Sequence, residues 1–292
     1  MKKKIALICT VTLLAIAVVS LWLYIRTFNT LITNDININH PFDLRQNWIT
    51  LTAKLNDQPC SILFDTGTVP CLIDSSAATA MGIKGLPIIR TTLNYRDTVQ
   101  IGIIKEVRIG TIVLRNVTAL ICQFPTMIAN AAPFIMGTRL IGQMNWDFDF
   151  DSGAVNISSQ AIKTAVPCSR IKMSNSTQPS ISFTIAPNEP AEAMLDFGFT
   201  EYITLPMTHT SNSNTHAIPN SSQRLSIHGQ YTRLQYEASG DICLGNDTLR
   251  DVRITYTDDP PPLLGLGLIR RYHRCILNFS THEMLLLPSR SF

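Results

Sequence analysis

The apolar residues of this chain fall into short runs bounded by turn residues, a pattern typical of β-strands. Trp48–Leu55 alternates in part, a polar turn follows at 56–58, and the next apolar run covers residues 60–64. Runs rich in β-branched residues continue through 91–122. Residues 75–81, followed by a glycine, have the pattern of a short helix. The pattern therefore predicts a chain built mainly from strands, with short helices as connections.

One apolar run leads directly into a tight turn that carries polar chemistry. Residues 61–64 precede Asp65-Thr66-Gly67, and a second apolar pair leads away from the turn. An ordinary turn would explain the tripeptide alone, because Asp and Gly are common turn residues. Here the carboxylate has hydrophobic neighbours on both sides, so it must be hydrogen-bonded or have a shifted pKa. The strand context makes Asp65 a candidate functional residue.

The second half of the chain repeats the motifs of the first half in the same order. Three pairs of segments correspond: residues 62–68 with 193–199, 108–117 with 243–252, and 135–141 with 263–269. Asp196 matches Asp65, and the separation between matched positions is nearly the same in all three pairs. Nearly constant spacing in unbroken order indicates an internal duplication with small changes in the loops. The join falls in the polar segment around residues 174–179.

The first of these motifs resembles the active-site turn of the aspartic proteases, both pepsin-like and retropepsin-like. The resemblance rests on two apolar residues followed by Phe64, Asp65, Thr66, Gly67 and Thr68. Apolar runs that end at Gly137 and Gly265 resemble the second conserved element of the family, and a closing hairpin follows each of them. The resemblance covers about residues 45–290. It is closer to membrane-anchored bacterial proteins with a duplicated retropepsin-like unit than to secreted pepsins.

The resemblance implies an all-β, bilobal fold in which two homologous β lobes enclose a substrate cleft. The expected divisions are a cytoplasmic stub and transmembrane anchor at 1–26, a spacer at 27–44, an N-terminal lobe at 45–165, a linker at 166–180 and a C-terminal lobe at 181–292. We expect a monomer, since the two lobes of one chain would form a pseudo-dimer.

The same resemblance implies hydrolysis of peptide bonds by a pair of carboxylates, Asp65 and Asp196. Two neighbouring carboxylates cannot both ionise cheaply, so one would deprotonate a water and the other would protonate the scissile carbonyl. Thr66, Gly67, Thr68, Phe197 and Gly198 would support this pair. The substrate would be a peptide or protein, and no metal or organic cofactor would be needed.

The second motif departs from the family pattern at one position. A Thr or Ser is expected after Asp196, where this chain has Phe197. In the family the hydroxyl at this position forms hydrogen bonds across the lobe interface, and a phenyl ring cannot do so. Two function classes therefore stay open. The first is an endopeptidase with an asymmetric pair of lobes, and the second is a catalytically weak or inactive peptide-binding module on the same fold.

Two segments match the position of flaps over the cleft. Each of them follows one acidic turn, and the two distances along the chain are similar. The first is 91–104, around Tyr95, and the second is 225–236, around His228, Gly229 and Tyr231. A flap that closes over substrate excludes water. Surface hairpins of a β-fold are the alternative interpretation.

The N-terminus predicts a membrane anchor. Residues 5–25 carry no charge and would span roughly 31 Å as a helix, which is the thickness of a bilayer core. Three lysines precede the segment, so the N-terminus is expected in the cytoplasm and the rest of the chain outside the cell membrane. A cleaved signal peptide is the competing interpretation, although its apolar region would be shorter and no Ala-x-Ala site follows.

The charge and the cysteine content bear on nucleic-acid binding, disulfide bonds and zinc sites. The net charge of +3 belongs to the anchor, because the segment 1–26 holds four basic side chains and no acidic one, which leaves the rest of the chain close to neutral. No basic patch interleaved with aromatic residues remains, which argues against nucleic acid as a partner. Cys60 and Cys71 flank the acidic turn and are either disulfide-bonded or buried free thiols. No Cys/His cluster has the spacing of a zinc site.

Overall fold

The protein is built mainly from β-strands, which form two barrel-like β units joined through a shared sheet. The computed structural model describes residues 10–20, 31–32, 35–91, 96–174, 176–211, 218–226, 229–258 and 261–288. The predominance of strands agrees with the all-β fold expected from the sequence. The short helix predicted at 75–81 is also present, as Ser75–Ala80, and the side chain of Asp74 caps its N-terminus.

The elements of the first half follow each other in a regular order. Helix α1 covers residues 10–20. The others are β1 (Leu31–Ile32), β2 (Asn37–Arg45), β3 (Trp48–Leu55), β4 (Gln58–Phe64), β5 (Cys71–Asp74), α2 (Ser75–Ala80), β6 (Gly85–Thr91), β7 (Arg96–Ile109), β8 (Ile112–Cys122), α3 (Thr126–Ala131), β9 (Phe134–Met136), α4 (Thr138–Ile141), β10 (Asn145–Asp149) and β11 (Ala154–Ser158).

The second half follows the same plan with fewer helices. Its elements are β12 (Ser169–Lys172), β13 (Ser180–Ile185), β14 (Glu189–Asp196), β15 (Ile203–Pro206), a 3₁₀ helix (Met207–Ser211), β16 (Ile218–Ser226), β17 (Gly229–Leu244), β18 (Asp247–Thr257), β19 (Leu263–Gly265), α5 (Leu266–Ile269), β20 (Arg274–Asn278) and β21 (Glu283–Leu287).

The strand that leads into each acidic turn has equivalent neighbours in the two halves. Strand β4 lies between antiparallel β3 and parallel β9, and β14 lies between antiparallel β13 and parallel β19. Phe64 pairs with Met136 in the first half, and Asp196 pairs with Gly265 in the second. The last three residues of β4 are buried on both faces of the sheet, which accounts for their continuous apolar run. These matching pairings support the duplication read from the sequence.

Strands of both halves combine in one sheet, which includes the order β12-β21-β20-β10-β11-β2. The halves meet where β10 pairs with β20, with Trp146 opposite Leu277 and Phe148 opposite Cys275. A bidentate ion pair from Arg274 to the buried Asp147 crosses the same junction. One continuous hydrophobic core extends from the first half into the second. The two halves therefore share both backbone hydrogen bonds and side-chain packing.

Two expected boundaries are corrected by the structure. The spacer expected at 27–44 is wrong in its second part, because Asn37–Arg45 forms β2, which pairs with β11 and β3. The linker expected at 166–180 contains β12, which pairs with β21. Both strands expose most of one face, so their polar residues resemble a linker, whereas Phe42 and Ile171 are buried. Strands that expose one face in this way give a weak apolar signal.

The expected membrane anchor lies partly outside the described residues. Helix α1 covers the middle of the uncharged segment 5–25, and residues 5–9 and 21–25 fall in the undescribed part. Within the residues that the structure describes, no helix is both long enough and apolar enough to cross a bilayer.

The cysteines beyond the N-terminal segment are free thiols, including Cys60 and Cys71 on either side of the acidic turn. Burial raises the pKa of both thiols to about 12. Of the two alternatives from the sequence, the structure therefore has the free thiols.

Because the halves share a sheet and a core, we expect neither half to fold alone. Expression of residues 27–165 should yield aggregates or a homodimer, since β10 would lose β20 and expose an unpaired edge next to apolar surface. Size-exclusion chromatography with light scattering, compared with residues 27–292, measures this. A soluble monomer of the fragment with a cooperative thermal melt would contradict the expectation.

Candidate active site

The two acidic turns meet face to face at the interface between the halves. A Cβ atom added to Gly67 would lie 2.3 Å from Cγ of Asp196, and one added to Gly198 would lie 2.7 Å from Cγ of Asp65. Each glycine thus packs against the carboxylate of the opposite turn, and no larger residue fits. The carboxylates of Asp65 and Asp196 lie close enough for each to shift the pKa of the other. Two carboxylates from opposite halves of the chain therefore form one site.

Backbone N–H groups hold each carboxylate in place. The N–H of Gly67 donates to Oδ1 of Asp65 at 2.8 Å. In the second turn, the N–H groups of Gly198 and Phe199 donate to Oδ1 of Asp196 at 2.9 and 3.1 Å. Each turn therefore fixes the orientation of its own carboxylate and presents it to the other half.

The surroundings of the pair raise both pKa values, but unequally. Burial raises the pKa of Asp65, and hydrogen bonds from the backbone and from Asp196 oppose the shift. The pKa of Asp196 lies well above its ordinary value because of burial, the charge of Asp65 and the hydrogen bond between the two side chains. The pair therefore keeps one proton over a pH range in which an isolated aspartic acid is ionised. Such a pair can accept one proton and donate another in a single step.

Thr66 forms the hydrogen bonds that join the two turns. Its side chain is fully buried. The hydroxyl donates to the carbonyl oxygen of Leu195 at 2.6 Å and accepts from the N–H of Phe197 at 3.0 Å. One hydroxyl of the first half therefore binds the backbone on both sides of Asp196.

Phe197 occupies the position in the second half that Thr66 occupies in the first half, and it packs into the core. Phe197 is fully buried, and its ring lies 5.5 Å from that of Phe64 and 5.8 Å from that of Phe148. Phe64 in turn packs edge-to-face against Trp146. The phenyl ring thus joins an aromatic group beneath the turns, so the second half contributes core packing where the first half contributes a hydroxyl.

Two further residues, which sequence reasoning missed, reach the site from the opposite half. Trp48 Nε1 donates to the carbonyl oxygen of Gly198 at 2.8 Å, and Gln178 Nε2 donates to the carbonyl oxygen of Gly67. Trp48 begins β3, and Gln178 lies just before β13. Neither residue belongs to a recognisable motif. Only an alignment of the two halves, extended to the strands before the acidic turns, would have placed them at equivalent positions.

The remaining predicted site residues fall outside the contact between the two turns. The carbonyl oxygen of Thr68 accepts a hydrogen bond from the N–H of Thr138, the first residue of α4, at 2.8 Å. The two flap candidates are hairpins, formed by β6 with β7 and by β16 with β17. Tyr95 and His228 lie outside the described residues, whereas Gly229 and Tyr231 are part of β17. The flap role of these hairpins stays a prediction.

Comparison with known proteins agrees with the geometry of the first turn. Residues 51–144 match a family model described as "Aspartyl protease". The matched region contains the Asp65 turn and its neighbouring strand β9, and it ends before Asp196. No curated protein matches the chain. The match supports an aspartic protease family and a peptidase-like function for the chain.

The burial of Phe197 leads to a testable expectation. Replacing Phe197 with Thr would restore a hydroxyl, and one hydrogen bond contributes about 0.5–1.5 kcal/mol. Loss of the buried ring costs about 3 kcal/mol or more, so the variant should be less stable than the native protein. Chemical denaturation measures the difference. Phe197→Leu, which keeps an apolar side chain, is the matched control and should lose less than about 2 kcal/mol. Equal stability of Phe197→Thr and the native protein would contradict the packing role.

Proposed function

We propose that the protein is an aspartic endopeptidase that hydrolyses peptide bonds with Asp65, Asp196 and one water molecule. The observation that carries the proposal is the close approach of two half-buried carboxylates on matching turns, one from each half, each packed against the glycine of the opposite turn. Carboxylates are normally kept apart or paired with cations, because two like charges held in contact are costly. A pair that shares a proton serves acid–base catalysis. The family match of the first half supports the same function.

We assign the role of base to Asp65 and the role of acid to Asp196, because the charge of Asp65 raises the pKa of Asp196. Asp65 ionises first and takes a proton from the attacking water, whose oxygen bonds to the carbonyl carbon of the scissile peptide. Asp196 holds its proton and donates it to the carbonyl oxygen, which gives a neutral tetrahedral intermediate. Collapse of this intermediate breaks the C–N bond: Asp65 gives the proton that it took from water to the leaving amine, and a hydroxyl of the intermediate returns a proton to Asp196. No covalent bond to the protein forms.

We further propose that the enzyme is anchored in the cell membrane by residues 5–25, with the N-terminus in the cytoplasm and the β domain outside. The support is the uncharged segment behind Lys2, Lys3 and Lys4. Protease added to spheroplasts should then digest the domain. A domain that stays protected until the membrane is lysed would overturn this orientation.

The catalytic pair is tested by substitution of each acid. Asp65→Asn and Asp196→Asn should each reduce peptide cleavage by about 10²–10⁴-fold, because an amide can neither take up nor release the required proton. The assay is cleavage of a mixed peptide library by residues 27–292, with a transition-state inhibitor of aspartic proteases as a specificity check. Asp57→Asn, the same change in the exposed β3–β4 turn, is the matched control and should leave the rate unchanged.

Two outcomes of this experiment would reject the two-carboxylate mechanism. Full activity of Asp196→Asn, with a rate per molecule that falls on dilution, would mean that Asp65 pairs with its copy in a second chain. Peptide binding without cleavage at any pH would mean that the chain is a binding module.

The pH dependence follows from the same assignment. Cleavage requires Asp65 ionised and Asp196 protonated, so kcat/KM should fall as pH rises through the raised pKa of Asp196. That alkaline limb should lie well above 3.8, the ordinary pKa of an aspartic acid. Initial rates from pH 3 to 8 locate it. An alkaline limb near 3.8 would contradict the shift.

A further inference from the structure

Two side chains cross the interface between the halves and end on the backbone of the acidic turns. Trp48 Nε1 donates to the carbonyl oxygen of Gly198, and Gln178 Nε2 donates to that of Gly67. Trp48 is buried and Gln178 is half-buried. Each acceptor is the glycine two residues after the aspartate, which is the residue that packs against the opposite carboxylate.

The strand register shows that the two donors occupy equivalent positions. Thr50 lies opposite Leu63, two residues before Asp65. Ser180 lies opposite Met194, two residues before Asp196. Trp48 and Gln178 each come two residues before these paired positions. The duplicated unit therefore sends a donor from the same place in each half, with an indole in one half and an amide in the other.

Each donor binds the peptide group that also binds a carboxylate. The carbonyl of Gly198 and the N–H of Phe199 belong to one peptide unit, and this N–H donates to Asp196. The carbonyl of Gly67 and the N–H of Thr68 likewise belong to one unit, and this N–H donates to Asp65. A hydrogen bond to a carbonyl orients its peptide plane and polarises the N–H on the other side. Both chains of hydrogen bonds run from one half, through a peptide of the other, to a carboxylate.

These bonds matter here because the hydroxyl link between the halves is one-sided. Thr66 holds the backbone around Asp196, whereas Phe197 offers no hydroxyl to the backbone around Asp65. Gln178 makes a bond across the interface to the first turn, which Phe197 cannot make.

We propose that Trp48 and Gln178 are positioning residues that lock the two turn peptides and so set the orientation and proton affinity of the carboxylate pair. Their role in catalysis rests on the proposed peptidase function. Their action on the carboxylates does not, because it can be measured without substrate.

The test removes each donor and keeps a side chain of similar character. Trp48→Phe deletes the indole N–H, and Gln178→Met deletes the amide. For Trp48→Phe the acid limb serves as an internal reference, because Trp48 donates to the turn that carries Asp196. Gln143→Met is the control for the second, since Gln143 Nε2 donates to the carbonyl of Arg139 on an exposed surface.

The expected changes differ between the two variants. Loss of a donor weakens the N–H bond to the ionised carboxylate, so the pKa of that carboxylate rises. Gln178→Met should move the acid limb of kcat/KM upward, and Trp48→Phe should move the alkaline limb upward, by about 0.3–0.6 pH unit. The value of kcat should fall about 3- to 10-fold with KM nearly unchanged. Gln143→Met should leave both limbs in place.

Carboxyl ¹³C NMR titration of aspartate-labelled protein gives the same shifts without substrate. If no peptide is cleaved, the proposed function fails, while the titration still decides whether the two donors act on the pair. Thermal melts first establish that each variant folds. If Trp48→Phe does not fold, Gln178→Met still tests the proposal, because Gln178 is only half-buried.

Two results would overturn the proposal. Unmoved carboxyl pKa values in folded variants would mean that the donors only pack against the turns. A lower KM with unmoved limbs would mean that the donors cover carbonyl groups to which substrate binds.

Discussion

The close contact of two carboxylates across the interface between the halves is the constraint on which this structure depends. Asp65 and Asp196 are half-buried, and each carboxylate packs against the glycine of the opposite turn. Like charges at such a distance are unfavourable, so the contact persists only where the protein holds both turns rigidly and retains a proton between them. The glycines at positions 67 and 198, the buried strands beneath the turns and the shared sheet all meet this requirement. Any movement of one half against the other would separate the pair.

The two halves meet the requirement in different ways. The first half supplies Thr66, whose hydroxyl binds two backbone groups around Asp196. The second half supplies Phe197, which stabilises the aromatic core under both turns but leaves one set of cross-interface bonds unmade. Phe197 therefore contributes buried apolar surface where Thr66 contributes directional hydrogen bonds. Apolar burial stabilises the fold, but it does not fix the orientation of the turn. Orientation must then come from elsewhere, and Trp48 and Gln178 are the side chains in position to provide it.

Local signals in the sequence predicted the buried strands well, and they predicted strands with one exposed face poorly. Strands β3 and β4 and helix α2 were predictable, because buried runs and capping residues leave clear patterns. Strands β2 and β12 were taken for a spacer and part of a linker. Each exposes one face and pairs through its backbone with a strand that lies far away in sequence. Pairing of this kind leaves almost no trace in the strand's own residues.

The sequence by itself indicated an internal duplication and located an Asp-x-Gly turn after an apolar run in each half. The repeat of Asp65 as Asp196 was enough to name both candidate carboxylates. Only the tertiary structure decided that the two turns touch, that this contact raises the pKa values of both carboxylates, and that Phe197 turns into the core. It also identified Trp48 and Gln178. Proton affinity and hydrogen bonding depend on distances between residues that lie in opposite halves of the chain, and a linear pattern of residue types does not contain those distances.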